Sequence, residues 1–529
     1  MATTRRGFLA LTTRALGLVL GLPGVAWAQE HVRAIHEATG SSFVRSLGVK
    51  LRGLKGRPRR FKPYRGRERV PLPPATRRPA LPLARALERY AQAQGFASSP
   101  LALETVARML YFTNGVTGEN PPGFRLRAAP SAGALYAGEV YLVAERVSGL
   151  APGVYSYAPL EGALVLLHSG SSWGDLTGAL ESPDRARGAA AAVLLTNVFG
   201  RYRWRYAERG YRYALIDTGH LGENLRLAAT SAGVAEWSPL RFQDGRLSRL
   251  LGIDGHEEST CAVHLVGHLG PARAGSGRAL VEQHRTGLPL PAPIPEAEGD
   301  VPLRYHALTK LVPAELALGS KAASRPDATR RPAAGAQPSG PPIRLPDPVR
   351  PVATVEQAIV QRRSASRFLP SPIAAADLAF ALEATVGHAA LERAAEVEIR
   401  LFVHRVNGLA PGLYAVRASG RELSVLREET LTDALVDACL GQEMAGSAAV
   451  GFAMVADLAR ATRSGSERAY RDLLIEAGAL GQRVYLAAEV LGLAARNLAA
   501  FLDDELNSLL GVDGRDQAVV HLTMLGPGG

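Results

Sequence analysis

Two stretches of this chain carry apolar residues at helical spacing: YALIDTGHLGENLRLAATSAG at 213–233 and DLLIEAGALGQRVYLAAEVLG at 472–492. Apolar positions recur every three or four residues, and each stretch ends on a glycine suited to the left-handed conformation that closes a helix. Around each helix the pattern changes to short apolar runs. EVYLVAERV and EIRLFVHRV read as strands that lead into a turn on Ala-Pro-Gly. GVYSYAP with ALVLL, and GLYAV with ELSVL, read as strand pairs. AAVLLTNV and AAVGFAMVA read as buried strands, and CAVHLVGHLG and AVVHLTMLG as closing strands. Strands and helices mix without regular βαβ alternation, which predicts an α+β fold rather than a doubly wound one.

The elements come twice in the same order, at constant spacing. GLAPGVY at 149–155 recurs as GLAPGLY at 408–414, and LGIDG at 251–255 as LGVDG at 510–514. Tyr211 matches Tyr470, Gly219 matches Gly478, Gly222 matches Gly481, Gly233 matches Gly492, and Phe242-x-Asp244 matches Phe501-x-Asp503. Each pair is 259 residues apart. An offset held over more than a hundred residues means two copies of one domain, as a chain of 529 residues requires more than one core. The copies are placed at 81–275 and 351–529. Residues 276–350 are rich in Pro, Ala, Gly and Arg and read as a semi-extended linker, long enough for the copies to pair side by side.

Charge changes this picture only at the N-terminal side. The formal net charge is +12, and residues 45–78 account for all of it, with thirteen Lys or Arg against the single Glu68. The rest of the chain is balanced, so the basic character does not point to nucleic acid. The segment 29–80 lacks helical periodicity and is read as a solvated or loosely docked basic extension, able to make weak contact with an anionic membrane surface. Before it, residues 1–28 read as an export signal. Arg5-Arg6 precedes an interrupted apolar run and the A-x-A site Ala26-Trp27-Ala28. The pattern resembles a twin-arginine signal and predicts a mature chain starting near Gln29, periplasmic or extracellular. Cys261 and Cys439 are too few for a disulfide framework or a zinc site and read as buried small hydrophobes. His220 and Glu223 share a helix face but have no third ligand nearby, so no metal is expected.

RAAPSAGALYAGEVYLV, the GLAPGVY turn, and WRYAERGYRYALIDTGHLGENLRLAATSAG followed by FQDGRLSRLLGID resemble the nitroreductase superfamily, more narrowly its SagB-type, azoline-oxidase-like dehydrogenase branch. QRRSASRF at 361–368 resembles the Arg-Arg-Ser flavin motif that opens the first helix in that family. The resemblance covers roughly 98–270 and 356–526. It implies two nitroreductase-like domains forming an intramolecular pseudo-dimer, with FMN at their interface and a monomeric chain. It further implies oxidoreductase activity on a small-molecule substrate, with an electron donor or acceptor such as NAD(P)H.

The motifs are divided between the copies. Pro130, Ser131, Ala132 and Gly133 occur in the first, whereas the matching AALERAA at 389–395 lacks them. Arg362, Arg363 and Ser364 occur in the second, whereas the first offers ERYAQAQG. Gln442 falls where the family places an amide near the flavin; the first copy has Pro183. One composite flavin site is therefore expected, from loop 130–136 and helix start 362–364. Arginine and hydroxyl donors at a helix N-terminus suit a phosphate, and the small loop residues allow close backbone approach. Arg205-Tyr206 stands where azoline-oxidising members carry Lys-Tyr. Arginine cannot serve as a base, which leaves Tyr206 to donate a proton or orient a substrate, with Arg205 beside it. Two further readings stand beside the FMN enzyme: a flavin-binding or scaffold protein without turnover, and a peptide azoline dehydrogenase.

Overall fold

A computed structural model describes residues 24–40, 56–75, 80–89, 93–272, 280–282, 306, 309–313, 339–386, 396–464 and 466–529. Two antiparallel sheets have the same strand order. The first runs Arg69–Pro71, Ala163–Ser169, Gly153–Ala158, Gly138–Ala144, Ala191–Val198, Glu258–Leu269 and Ala235–Trp237. The second runs Ser339–Arg344, Glu422–Arg427, Gly412–Val416, Val397–Val403, Val450–Asp457, Gln517–Gly526 and Ala494–Asn497. Each sheet thus gains an edge strand, 69–71 and 339–344, from outside the copies as bounded at 81 and 351. The short apolar runs read from the sequence are those of strands covered on both faces, and Gly138–Ala144 and Gln517–Gly526 are buried throughout.

The long helices Gly210–Ser231 and Arg468–Val490 lie between the sheets and cross each other. Each is buried almost all round, although both carry many polar residues. Such a helix is stable only where its polar groups are paired, and here they pair across the copies. Glu223 accepts from Arg483 at 2.7 Å, and Gln482 donates to Asn224 at 2.7 Å. Asp244 accepts from Arg468 and Arg471 of the other copy, at 2.7 and 2.6 Å. At the same offset Asp503 accepts from Arg209 and Arg212. This reciprocity, with one hydrophobic core running through both copies, makes the chain an intramolecular pseudo-dimer of α+β domains.

The crossing needs glycine. A Cβ on Gly219 would lie 2.0 Å from the Ile475 carbonyl oxygen, and one on Gly478 would lie 2.0 Å from that of Ile216. Both obstacles are backbone, so the helices would have to part. Gly219→Ala is expected to lower stability by about 1–3 kcal/mol, read as a fall in the urea midpoint. An unchanged midpoint would show that the helices do not meet there.

Over 56–75 the basic extension is docked at several points, where its cations meet rings and carboxylates of the first copy, while Arg57, Arg59, Arg65, Arg67 and Arg69 stay exposed. Arg60 lies 3.8 Å above the Phe124 ring, and Arg127 lies 4.7 Å from the Phe61 ring. Lys62 bonds Glu258 and Tyr141, each at 2.6 Å, and Tyr64 bonds Ser156 at 2.5 Å. Part of the linker is packed too: Leu311 donates its N–H to Asp244 at 3.1 Å. The helix Gly24–Thr39 spans the expected processing point, with Ala28, Val32 and Ile35 buried. Residues 1–23 lie outside the described residues. Both cysteines are buried and unpaired, as expected.

Candidate functional site

The interface between the copies has two seams, related by the pseudo-twofold axis. The first seam holds the motif residues. Loop 128–136 is shaped by three residues in the left-handed region, Gly133 (φ 59°), Ala134 (φ 49°) and Tyr136 (φ 50°). Ser131 pins the turn by accepting the Tyr136 N–H at 2.8 Å. Gly133 is exposed at the tip. A side chain there would be strained by φ and would place its Cβ 2.4 Å from the Tyr206 hydroxyl.

Arg362 of the second copy reaches this loop. Its Nε donates to the Ala128 carbonyl at 3.2 Å, and its guanidinium lies 5.3 Å from the centre of the Tyr485 ring. Arg362 is 5% exposed, and its Nη1 is buried without a hydrogen-bond partner. A buried donor left so costs about 1–3 kcal/mol, so the site favours an acceptor. Ser364 and Arg363 are exposed beside it. Ser364 Oγ pairs with Tyr485 Oη at 2.9 Å, and Arg363 donates to the Thr117 carbonyl at 3.1 Å. Arg496, half-buried, donates to the Ala365 carbonyl at 2.7 Å, adjoining Ser364. These four side chains form a donor set suited to an anionic group such as a phosphate.

One expectation is corrected here. Arg362, Arg363 and Ser364 do not start a helix. The helix Val355–Gln361 opens on a Thr354 capping box and ends just before Arg362, whose φ of −46° and ψ of 120° leave the helical region. Ser364 then bridges to Ala495 at the edge of the sheet. No helix N-terminus faces an anion here; side chains alone supply the donors.

A series of hydrogen bonds and one close His–Asp approach join the two halves of the seam. Tyr485 Oη, held by Ser364, accepts the Asn497 N–H at 2.9 Å. Asn497 Nδ2 reaches His220 Nε2 at 2.9 Å, and His220 Nδ1 lies 3.3 Å from Asp217 Oδ1. Asp217 Oδ2 accepts from the Ala132 N–H at 3.2 Å and from the Tyr202 hydroxyl. Tyr202 Oη meets Ser131 Oγ at 2.8 Å. None of Tyr202, Asp217, Tyr485, Asn497 or Arg496 stood out in the sequence. Arg496 had a signal, since it faces Trp237 at the repeat offset.

Tyr206 and Arg205 lie at the loop tip. Burial, then Tyr213, raises the Tyr206 phenol, so it stays protonated. Its ring meets that of Tyr213 edge-on at 4.8 Å. Arg205 is exposed, 5.7 Å from the Tyr206 ring centre. Ala207, next in the chain, has φ 47° and ψ −132°, a strained position for a residue other than glycine. Gln442 sits at the margin. Its Nε2 donates to the Cys439 and Ala500 carbonyls, each at 2.7 Å. Ala499, beside Ala500, accepts from Tyr213 Oη at 2.8 Å. The second copy's counterpart of the Pro-Ser loop, 389–395, lies outside the described residues.

The second seam is built differently. At the 259-residue offset Tyr485, Ala495, Arg496 and Asn497 become Arg226, Glu236, Trp237 and Ser238. Arg226 donates to Ser238 at 3.1 Å, and Glu236 pairs with His264 Nδ1 at 2.6 Å. Burial would raise the Glu236 carboxyl; His264, then Arg226, hold it below its usual range. The Arg185 guanidinium covers the Trp237 ring at 4.2 Å. The remaining cavity, about 180 Å³ and lined by Trp237, Arg185 and Asp472 among others, is smaller than the ~300 Å³ of a small ligand pocket. Among the described residues, a buried carboxylate and a capped indole stand where the first seam has its donors.

Known proteins share this architecture. A profile of the nitroreductase family matches residues 87–268 and 359–527. A protein of Methanocaldococcus jannaschii named as a nitroreductase is 33% identical over 159 residues, covering 30% of this chain and 78% of its own length. The microcin B17-processing protein McbC of Escherichia coli is 28% identical over 174 residues, and the match spans 32% of this chain and 62% of McbC. A crystal structure of an Anabaena variabilis protein, also named as a nitroreductase, superposes with a TM-score of 0.74 at 25% identity, over 94% of this chain and 99% of that one. Both copies fall within the family profile, and the chain belongs to the nitroreductase family.

Proposed function

We propose that this nitroreductase-family oxidoreductase is FMN-dependent, with one flavin site at the first seam, and that it reduces or dehydrogenates a small substrate there. The observation that carries this reading is the asymmetry of the seams. One presents Arg362, Arg363, Ser364 and Arg496 to an anion beside a loop of small residues; the other fills the same space with Arg226, Glu236 and Trp237. In this reading the four donors hold the phosphate, and Ser131, Ala132 and Gly133 let the ring approach backbone. FMN would supply the two-electron chemistry; the protein supplies position and polarity. The electron partner is a soluble donor or acceptor, with NAD(P)H the first to try.

The test is the flavin content of the purified chain after reconstitution with FMN. One flavin per chain is expected. Two per chain would overturn the single site, and none would favour a scaffold without turnover. Similarity to a protein that processes microcin B17 favours a second reading, dehydrogenation of a peptide heterocycle. Turnover of an azoline peptide in place of small quinones or nitro compounds would select it. The paired Arg5-Arg6 and the A-x-A site support export of the folded chain, which sequencing of the mature N-terminus from a periplasmic fraction would check.

A further inference from the structure

We propose that Ser131, Tyr202 and Asp217 form a proton relay that takes a proton from the substrate at Ser131 Oγ and stores it on the Asp217 carboxylate. The inference rests on the flavin reading above and adds a direction to it: the site is arranged for dehydrogenation.

The direction follows from which atoms donate. Asp217 is 5% exposed, and two donors converge on its Oδ2. Oδ2 takes the Ala132 N–H at 3.2 Å and the Tyr202 O–H. Oδ1 faces His220 Nδ1 at 3.3 Å. Thr523 donates to Asn497 Oδ1 at 2.7 Å, which fixes that amide so that its NH₂ faces His220 Nε2. His220 Nε2 then accepts, and the ring proton sits on Nδ1, which lies near Asp217 without hydrogen-bonding it. In both of its hydrogen bonds Asp217 is the acceptor.

Because Tyr202 gives its only proton to Asp217, its oxygen accepts from Ser131. Ser131 accepts the Tyr136 N–H at 2.8 Å and has one lone pair left. Ser131 is half-buried on the loop whose tip, Gly133, is exposed, so that lone pair lies at the seam. Every O–H in the series therefore points toward Asp217, ready to receive a proton and not to give one.

The balance is simple. A substrate that is dehydrogenated gives up a hydride and a proton. The flavin of the proposed site is the two-electron acceptor, and the proton goes to Ser131 Oγ. In the same event Ser131 passes its own proton to Tyr202, and Tyr202 passes its own to Asp217. No charged serine or tyrosinate forms, and Asp217 ends neutral. Burial, then Asp217, pushes the Tyr202 phenol well up, so it transmits a proton without losing one. The relay also fills a chemical gap, because Arg205 cannot act as a base. It occurs once in the chain: at the repeat offset Tyr202 and Asp217 become Ala461 and Glu476.

The test uses the full chain and the near-isosteric Tyr202→Phe, with Ser131→Ala as a second break in the path. Wild type is expected to show a solvent deuterium isotope effect on kcat for dehydrogenation. Tyr202→Phe is expected to lower kcat by about 100-fold, the lower range for general-base catalysis, with flavin content and KM near wild type. The remaining rate should rise with pH as solvent hydroxide takes over. The titratable groups facing Asp217 are Tyr202 and Tyr206 from helix 199–206, and His220 from its own helix. A flavin-loaded Tyr202→Phe with unchanged kcat and isotope effect would overturn the relay while leaving the flavin reading intact. A second readout needs no flavin. In the infrared difference between wild type and Asp217→Asn apoprotein at neutral pH, an ionised carboxylate band that shifts in Tyr202→Phe is expected. A protonated Asp217 would overturn the proposed direction, even if the protein binds no flavin at all.

Discussion

Asp244→Ala is expected to destabilise the chain by about 3–5 kcal/mol, the cost of stranding buried charge. Asp244 is fully buried, and each of its oxygens is held by an arginine of the other copy. Its removal leaves Arg468 and Arg471 buried without their shared counter-charge, and also frees the Leu311 N–H. Asp244→Asn keeps the shape and loses the charge, and should cost nearly as much. The same group gives an acid dependence. Burial alone would raise the Asp244 carboxyl, but Arg468 and Arg471 overcome it and hold the group well below the usual carboxylate range. A folded-state value below the unfolded one means that the stabilisation is complete above the unfolded value, ~3.9. It is lost as pH falls below that value toward the folded one. The gap between wild type and Asp244→Asn in urea titrations should therefore hold from pH 7 to about pH 4 and narrow as the pH is lowered further toward about pH 2. A loss below about 1 kcal/mol at pH 7 would show that the pair contributes little to holding the copies together.

Much of this architecture was legible before the structure. The long helices and the succession of strands along the chain followed from periodicity, because burial imposes spacing on any sequence that forms these elements. The pairing of the copies was also in the text. Asp244 and Asp503 stand at the repeat offset, and the structure gives each the same two-arginine partner set. The network that joins the seam was not legible. His220 reads as helix-face polarity because its partners, Asn497 and Asp217, lie in different copies or one turn away. Tyr485 and Asn497 look ordinary until placed against Arg226 and Glu236 of the other seam. The helix-start reading of Arg362 to Ser364 failed because the capping box at Thr354 puts the whole helix before them. Where the extension docks could not be read, because a charge run carries no sign of what it covers. The rings and carboxylates that hold it, Phe124, Tyr141 and Glu258, lie 60 or more residues away in sequence.

Arg362→Ala should cut FMN affinity by about 100-fold while leaving the fold intact. The argument starts from the state of the side chain. Arg362 is buried, one of its nitrogens has no partner, and burial lowers its pKa as the charge loses solvent. A cation kept in that condition is stabilised most by an anion that arrives with the ligand. Each charge-assisted hydrogen bond is worth about 1.5–3 kcal/mol, and the loss of one or two gives a decrease of this size. Folding should suffer little, since the only hydrogen bond lost is to the Ala128 carbonyl. Arg362→Lys is expected to recover part of the affinity, because a lysine keeps the charge but not the planar fork. Arg496→Ala should weaken FMN as well, since its guanidinium adjoins Ser364. Trp237→Ala at the second seam should leave FMN binding unchanged. Fluorescence titration of apoprotein with FMN separates these outcomes. If Arg362→Ala binds as tightly as wild type, the donor set does not hold the phosphate. If Trp237→Ala is the variant that loses FMN, the flavin sits at the other seam.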